Sequence, residues 1–161
     1  MIVQKLYFHL LAFIEIIFYH LFYNKRVKIG KGTTWRRNFS VMIGKKGKLI
    51  IGNNCFFNNQ CSIACLRNVE IGDNSIFGEN VKIYDHNHRF HKDILIKSQG
   101  FSEGKVKIGN DCWIGTGVII LKNTTIGDGC IIGAGIVVSG DIPPNTVLKK
   151  SKESYELLSR T

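Results

Sequence analysis

The sequence predicts an all-β solenoid of short parallel strands, three to a coil, with a helix in front and one loop excursion inside it. Three observations predict it. An aliphatic residue recurs every six positions, as in "IGDNSI FGENVK IYDHNH" from Ile71 and "IGNDCW IGTGVI ILKNTT IGDGCI IGAGIV VSGDIP" from Ile108. Glycine is abundant, 17 residues against 2 prolines, which points to many tight turns rather than to disorder. The period stops once, between Asp85 and Lys107, and then resumes. At 161 residues the chain suits one domain with short appendages.

Residues 1–24 form the first element. "MIVQKLYFHLLAFIEIIFYHLFY" is the most apolar stretch and has no small-residue cleavage site after it, so no removable signal peptide is expected. Lys5, His9, Glu15 and His20 interrupt the run, which argues against a simple membrane span. At ~100° per residue they fall, with Gln4, within less than half of a helix circumference. The reading is an amphipathic helix with a wide apolar face. Lys25, Arg26, Lys28, Lys31, Arg36 and Arg37 follow it. Residues 1–37 could therefore dock on an anionic membrane surface, or the helix could pack on its own body or on a neighbouring subunit. Both readings stay open.

Residues 25–148 form the solenoid. A helix would show a period near 3.6 and a strand a period of 2, so neither explains a period of six. Three short strands with tight turns do, giving a coil of about 18 residues that stacks on the next and buries the aliphatics as ladders. A looser block reads "IGNNCF FNNQCS IACLRN", and a fainter one starts at "IGKGTT WRRNFS". Cys55, Cys112 and Cys130 each take the fifth place of a six-residue unit, as small inward residues would. Five cysteines without a C-x-x-C pair argue against a zinc knuckle and a disulfide framework, and fit a reducing, cytoplasmic setting. The excursion spans 85–107, and residues 149–161 are read as a tail or short C-terminal helix. The formal net charge of +10 favours anionic partners, among them acidic lipid and glycan, if it is more than a soluble surface.

Over residues 27–147 these units resemble the hexapeptide-repeat family, whose coils wind a left-handed parallel β-helix. The handedness is implied by the resemblance alone, and it is the exception to the usual right-handed crossover. "VKIYDHNH", "IGNDCWIGTGVIIL" and "IGDGCIIGAGIVVSGDIPPN" are similar to the xenobiotic, maltose and galactoside O-acetyltransferase branch. That resemblance implies a catalytic histidine at His88, where the chain leaves the prism. A histidine near neutral pKa can take the acceptor's hydroxyl proton and later protonate the leaving thiolate. It also implies Trp113 beside the base, unless that residue is a coil-packing aromatic. Asp85 and His86 are candidate helpers, or a loop carboxylate and a polar loop residue.

For acetyl-CoA the resemblance implies contacts at Gly115, Thr116, Ala134 and Ser139, with Lys149 and Lys150 near the phosphates. Alternatively the small residues are only the turn positions every coil needs. Asn58 aligns with a sugar-contacting Asn. Departures are Gly140 in place of a Lys, "LKKSKESYELL" in place of a Gly-Pro-Ala ending, and Cys65 where an acidic residue is expected. The last argues against a simple galactoside acceptor. His86 and His91 have the spacing of the zinc pair in carbonic anhydrases of similar fold. Those need a third histidine from an upstream coil, and none lies between His20 and His86, so no metal is expected.

The resemblance thus implies a cytoplasmic, homotrimeric O-acetyltransferase acting on a surface-glycan sugar, with no covalent intermediate and no nucleic acid partner. The alternatives are acetyl transfer to an aminosugar or an antibiotic, and a non-catalytic repeat scaffold.

Overall fold

The computed structural model describes residues 2–150 and 155–159. The first residue of each six-residue unit turns inward and the chain bends after it. Ile51, Ile71, Ile108, Ile126 and Ile142 make one buried column. Phe57, Phe77, Ile114, Ile132 and Leu148 make a second, and Ile63, Ile83, Ile120 and Val138 a third. Three columns give a three-sided prism. On its first side Lys48–Ile51 pairs in parallel with Asn68–Ile71, and that strand with Lys105–Ile108. The second side stacks Phe56–Phe57, Ile76–Phe77, Trp113–Ile114 and Ile131–Ile132. The third stacks Ser62–Cys65, Lys82–Tyr84 and the start of Ile119–Ile126. The architecture is a left-handed parallel β-helix with an N-terminal helix.

Two local features let the coils turn and stack. Asn54, Asn74 and Asp111 take positive φ before the small fifth residue, a conformation that short polar side chains tolerate. Gly72 follows an inward isoleucine, and a Cβ there would lie 2.7 Å from the Gly109 carbonyl carbon. No larger residue fits between coils so close. Cys55, Cys112 and Cys130 are buried, as are Cys61 and Cys65, and all five are free thiols. Aromatic rings fill the N-terminal coils: Trp35, Phe39, Phe57 and Phe77 follow one another at centroid distances of 4.6, 4.9 and 4.2 Å.

A uniform coil of about 18 residues is not what the structure holds. Val106 pairs with Thr124, 18 residues on, but Val27 pairs with Leu49 and Lys48 with Asn68, 22 and 20 residues on, and Thr124 with Gly140, 16 on. The first two sides keep their six-residue units in every coil. All variation falls on the third side and the corner after it, in residues 41–50, 63–70, 83–107, 120–125 and 138–141. The excursion is the longest of these insertions. In repeat architectures the face that gathers insertions is often the binding face.

The helix Ile2–Tyr23 lies across the open first coil. Ala12 is buried, Ile16, Tyr19 and Tyr23 pack on the core, and Trp35 donates its indole N–H to Glu15. Burial, with the Glu15 charge second, pushes the Tyr19 hydroxyl up to about 12. Packing on its own body is therefore real, but it uses one face only. The helix is turned so that Glu15 faces inward with Ala12, while Gln4, His9 and His20 share the exposed surface with large apolar residues.

The C-terminal segment corrects the expected tail or short helix. Tyr155–Ser159 is a strand antiparallel to Thr146–Lys150, with Lys150 opposite Tyr155. Thr146–Lys150 ends the stack, and its outward N–H and C=O groups find partners in a returning strand. The remainder of 149–161 beyond these strands lies outside the described residues.

Candidate active site

The excursion leaves the prism after Lys82–Tyr84 as a hairpin. His86–His88 pairs antiparallel with Phe101–Glu103, and the Gly104 N–H donates to the Asp85 carbonyl at 2.6 Å, closing its root. Asp85 is fully buried. Its carboxylate accepts main-chain N–H groups from Leu66 (2.8 Å), Arg67 (2.6 Å) and Asn68 (2.8 Å), and meets His86 Nδ1 at 3.0 Å. One side chain thus ties the hairpin to the corner of the coil below. A buried carboxylate persists when such donors surround it.

His86 and His88 differ sharply. With its Nδ1 proton given to Asp85, His86 leaves Nε2 free to accept. Its ring stands edge-on to Phe101 at 5.1 Å, and its side chain is 11% exposed. His88 is exposed and its ring lies 4.6 Å from that of Phe101. It lines a groove of about 540 Å³ with Arg89, Phe90, His91, Ser102 and Lys122. Lys122, from the coil above, donates to Ser102 Oγ at 2.6 Å. Gln99 stitches the loop by accepting from His91 N–H at 2.6 Å and donating to the carbonyls of His91 (3.0 Å) and Ile94 (2.6 Å). Phe101, Gln99 and Lys122 were not legible as site residues, because the first two reach the histidines only through the hairpin's fold and Lys122 comes from the next coil. Among the described residues no three His, Cys, Asp or Glu side chains gather where a metal ion could sit.

The other candidates lie elsewhere on the prism. Trp113 is 53% exposed on the second side, in a groove with Asn74, Ile76, Asp111 and Ile131 rather than in the His88 groove. Gly115 and Thr116 follow it at the next corner, with Ala134 one coil on. A Cβ on Gly115 would lie 2.7 Å from the Ala134 nitrogen, so coil stacking by itself requires this glycine. Ser139 is exposed and follows Val138, the partner of Ile120, which puts it on the third corner with the hairpin. Lys149 and Lys150 are exposed at the end of the stack. Asn58 accepts from Arg36 at 3.2 Å and from Asn59 N–H at 2.9 Å. Cys65 points into the core and donates to the Lys48 carbonyl at 3.3 Å. A core thiol does not touch an acceptor, so Cys65 is no ground for excluding a galactoside. Burial, followed by the charge of Asp85, pushes the Cys65 thiol up to about 12.

Residues 105–140 match the family model "Bacterial transferase hexapeptide (six repeats)". Nodulation protein L of Rhizobium meliloti is 39% identical over 128 residues, covering 78% of this chain and 68% of that protein. A maltose O-acetyltransferase structure from Clostridium difficile is 36% identical with a TM-score of 0.64, over 80% of this chain and 68% of that one. The hexapeptide-repeat acetyltransferase VCA0836 of Vibrio cholerae, solved with acetyl coenzyme A, is 25% identical with a TM-score of 0.69, over 83% and 70%. Against three further curated relatives, among them galactoside O-acetyltransferase of Escherichia coli, the chain spans 40–48% of their length. Coils, excursion and relatives agree: the chain belongs to the hexapeptide-repeat acetyltransferases.

Proposed function

We propose that this chain is an acetyl-CoA-dependent O-acetyltransferase acting on a sugar hydroxyl, with His88 as general base. The observation that carries the reading is the place of His88: exposed, in a groove, on the one corner where the coils vary. His88 takes the hydroxyl proton as the acceptor oxygen attacks the thioester carbonyl. The tetrahedral intermediate then expels the thiolate as the C–S bond breaks, and the imidazolium returns its proton to sulfur. No covalent enzyme intermediate is needed. Asp85 and His86 act as positioning residues that fix the hairpin root.

The site is completed between subunits of a homotrimer. Within one chain His88 and Ser139 share the third corner, whereas Trp113, Gly115, Thr116 and Ala134 lie on the second side and the corner after it. These form one site only if a second copy supplies the other part. The excursion's tip supports this, since Phe90, Ile94, Leu95 and Ile96 are each more than half exposed, an apolar surface that a neighbour would cover. Lys149 and Lys150 would meet the phosphates of the acetyl donor, and Asn58 the acceptor. A surface-glycan acceptor built at the inner membrane face would bring this cytoplasmic chain to that surface through residues 1–37.

One observation favours a second reading. The Asp85–His86 pair has the form of an oriented base, with Nε2 available. Thiol release from acetyl-CoA with a panel of neutral sugars, aminosugars and glycan repeat units tests the function. Release with neutral sugars is expected. Release with aminosugars alone would replace O-transfer by N-transfer, and none with any acceptor would favour a non-catalytic scaffold.

A further inference from the structure

The net charge of this protein is not spread over it. Up to Val69 the chain carries eleven Lys or Arg and a single acid, Glu15; from Glu70 onward it carries eleven of each. The whole formal charge of +10 therefore belongs to the helix and the first two coils. Glu15 does not face solvent as a counter-charge, because it is turned inward to the Trp35 indole N–H.

Among the described residues, the same end bears the longest run of exposed large apolar side chains. With Ala12, Ile16 and Tyr19 committed to the solenoid, the helix leaves Leu6, Leu10, Phe13, Ile17, Phe18 and Leu21 from 46% to 79% exposed. Its length and hydropathy would allow it to cross a membrane. Its inner face, however, is tied across the first coil by Glu15 to Trp35, by Tyr23 to the Val41 carbonyl, and by Arg26 to the Gly44 carbonyl at 2.6 Å. Basic groups sit at both ends of this apolar strip. Arg36 and Arg37 share a groove with Gln4, Phe8 and one acid, Glu79, which accepts from Asn59, near its start, and Lys45 and Lys46 follow Gly44 near its finish.

We infer that this end of the prism is a docking surface for an anionic lipid bilayer, with the helix lying in the interface plane. Its outer side chains enter the acyl boundary while the flanking cations reach headgroup phosphates. A second copy of the chain is the competing occupant. It would bring its own Arg36, Arg37, Lys45 and Lys46 to a strip already flanked by the same four cations, a like-charge contact that an anionic surface relieves. The proposal goes beyond acetyl transfer and does not depend on it, because its readout needs no substrate.

The test is co-sedimentation of the full chain with vesicles of phosphatidylcholine alone or of equimolar phosphatidylcholine and phosphatidylglycerol. Binding is expected on the anionic vesicles, weak on the neutral ones, and lost at about 1 M salt, where the screening length falls to about 3 Å. Lys45→Gln with Lys46→Gln should weaken it roughly 30-fold, at about fivefold per cation near the surface. Phe13→Gln with Phe18→Gln should weaken it more than about tenfold without altering the sedimenting mass. Equal binding to both vesicle types, binding to neither, or affinity unchanged in the lysine variant would overturn the proposal. A drop in oligomer mass in the phenylalanine variant would overturn it too, and would assign the face to a contact between copies.

Discussion

Asp85→Asn changes one atom of the residue that roots the hairpin, and the hydrogen bonds around that atom set the outcome. The carboxylate has an oxygen shared by Leu66 N–H and His86, and another shared by Arg67 and Asn68 N–H. An amide nitrogen in the second position would face two main-chain donors. In the first it faces one, because His86 can switch tautomer and accept through Nδ1. The amide adopts the first position, leaving the Leu66 N–H buried and unsatisfied. One charge-assisted bond lost and one orphaned donor cost about 2–3 kcal/mol, a fall in melting temperature of roughly 5–10 °C for a chain of this size. His86 Nε2 then carries the proton and can no longer act as a base. If His88 is the base, turnover of the variant falls by less than about tenfold, since only positioning is lost. Thermal unfolding and thiol-release kinetics on the same preparation measure both effects. An unchanged melting temperature would refute the anchoring role of Asp85, and loss of turnover as deep as in His88→Ala would move the base to His86.

Other expectations come from the prism itself. Phe77 is buried and stacks on Phe57 at 4.2 Å with rings 9° apart, so Phe77→Ala should cost about 3–5 kcal/mol in denaturant unfolding. Cys65 keeps its proton to about pH 12 when folded, against an ordinary value of 9.0. The unfolded thiol therefore ionises first, and stability should fall as pH rises across that window; Cys65→Ala should flatten this slope, and an unchanged slope would count against the cause. The same burial predicts that a thiol reagent at neutral pH labels the native protein far more slowly than the denatured one. Because no trio of ligating side chains converges among the described residues, chelator treatment should leave acetyl transfer intact; activity restored only by added metal would contradict this.

The prism was readable in the sequence because burial acts on every sixth residue: Ile71, Phe77 and Ile83 each point inward, and apolar side chains fill these columns. The edge after the third side was less readable. Gly44–Gly47 and Leu66–Arg67 lengthen their coils where the chain meets solvent, and no inward residue marks the insertion. The break in period marks where the chain leaves the prism, after Asp85, and the motif makes His88 the residue proposed as base. The use of Asp85 was not legible, since its donors lie in the preceding coil. Trp113 and His88 are neighbours by family resemblance but line different grooves of the prism, a separation that sequence similarity does not carry. The final strand was missed for a simpler reason. "ESYELLS" has no strong period, and its partner Thr146–Lys150 imposes the extended form through main-chain pairing.

Everything proposed for the chemistry rests on His88 moving the acceptor's proton. The sharpest test is steady-state acetyl transfer by His88→Ala, with acetyl-CoA binding measured separately by calorimetry. Turnover should be lower by roughly 10²–10⁴-fold with donor affinity little changed, because the proposed role of His88 is to meet the reacting hydroxyl and not the donor's carrier. Turnover near that of the unaltered protein would contradict it.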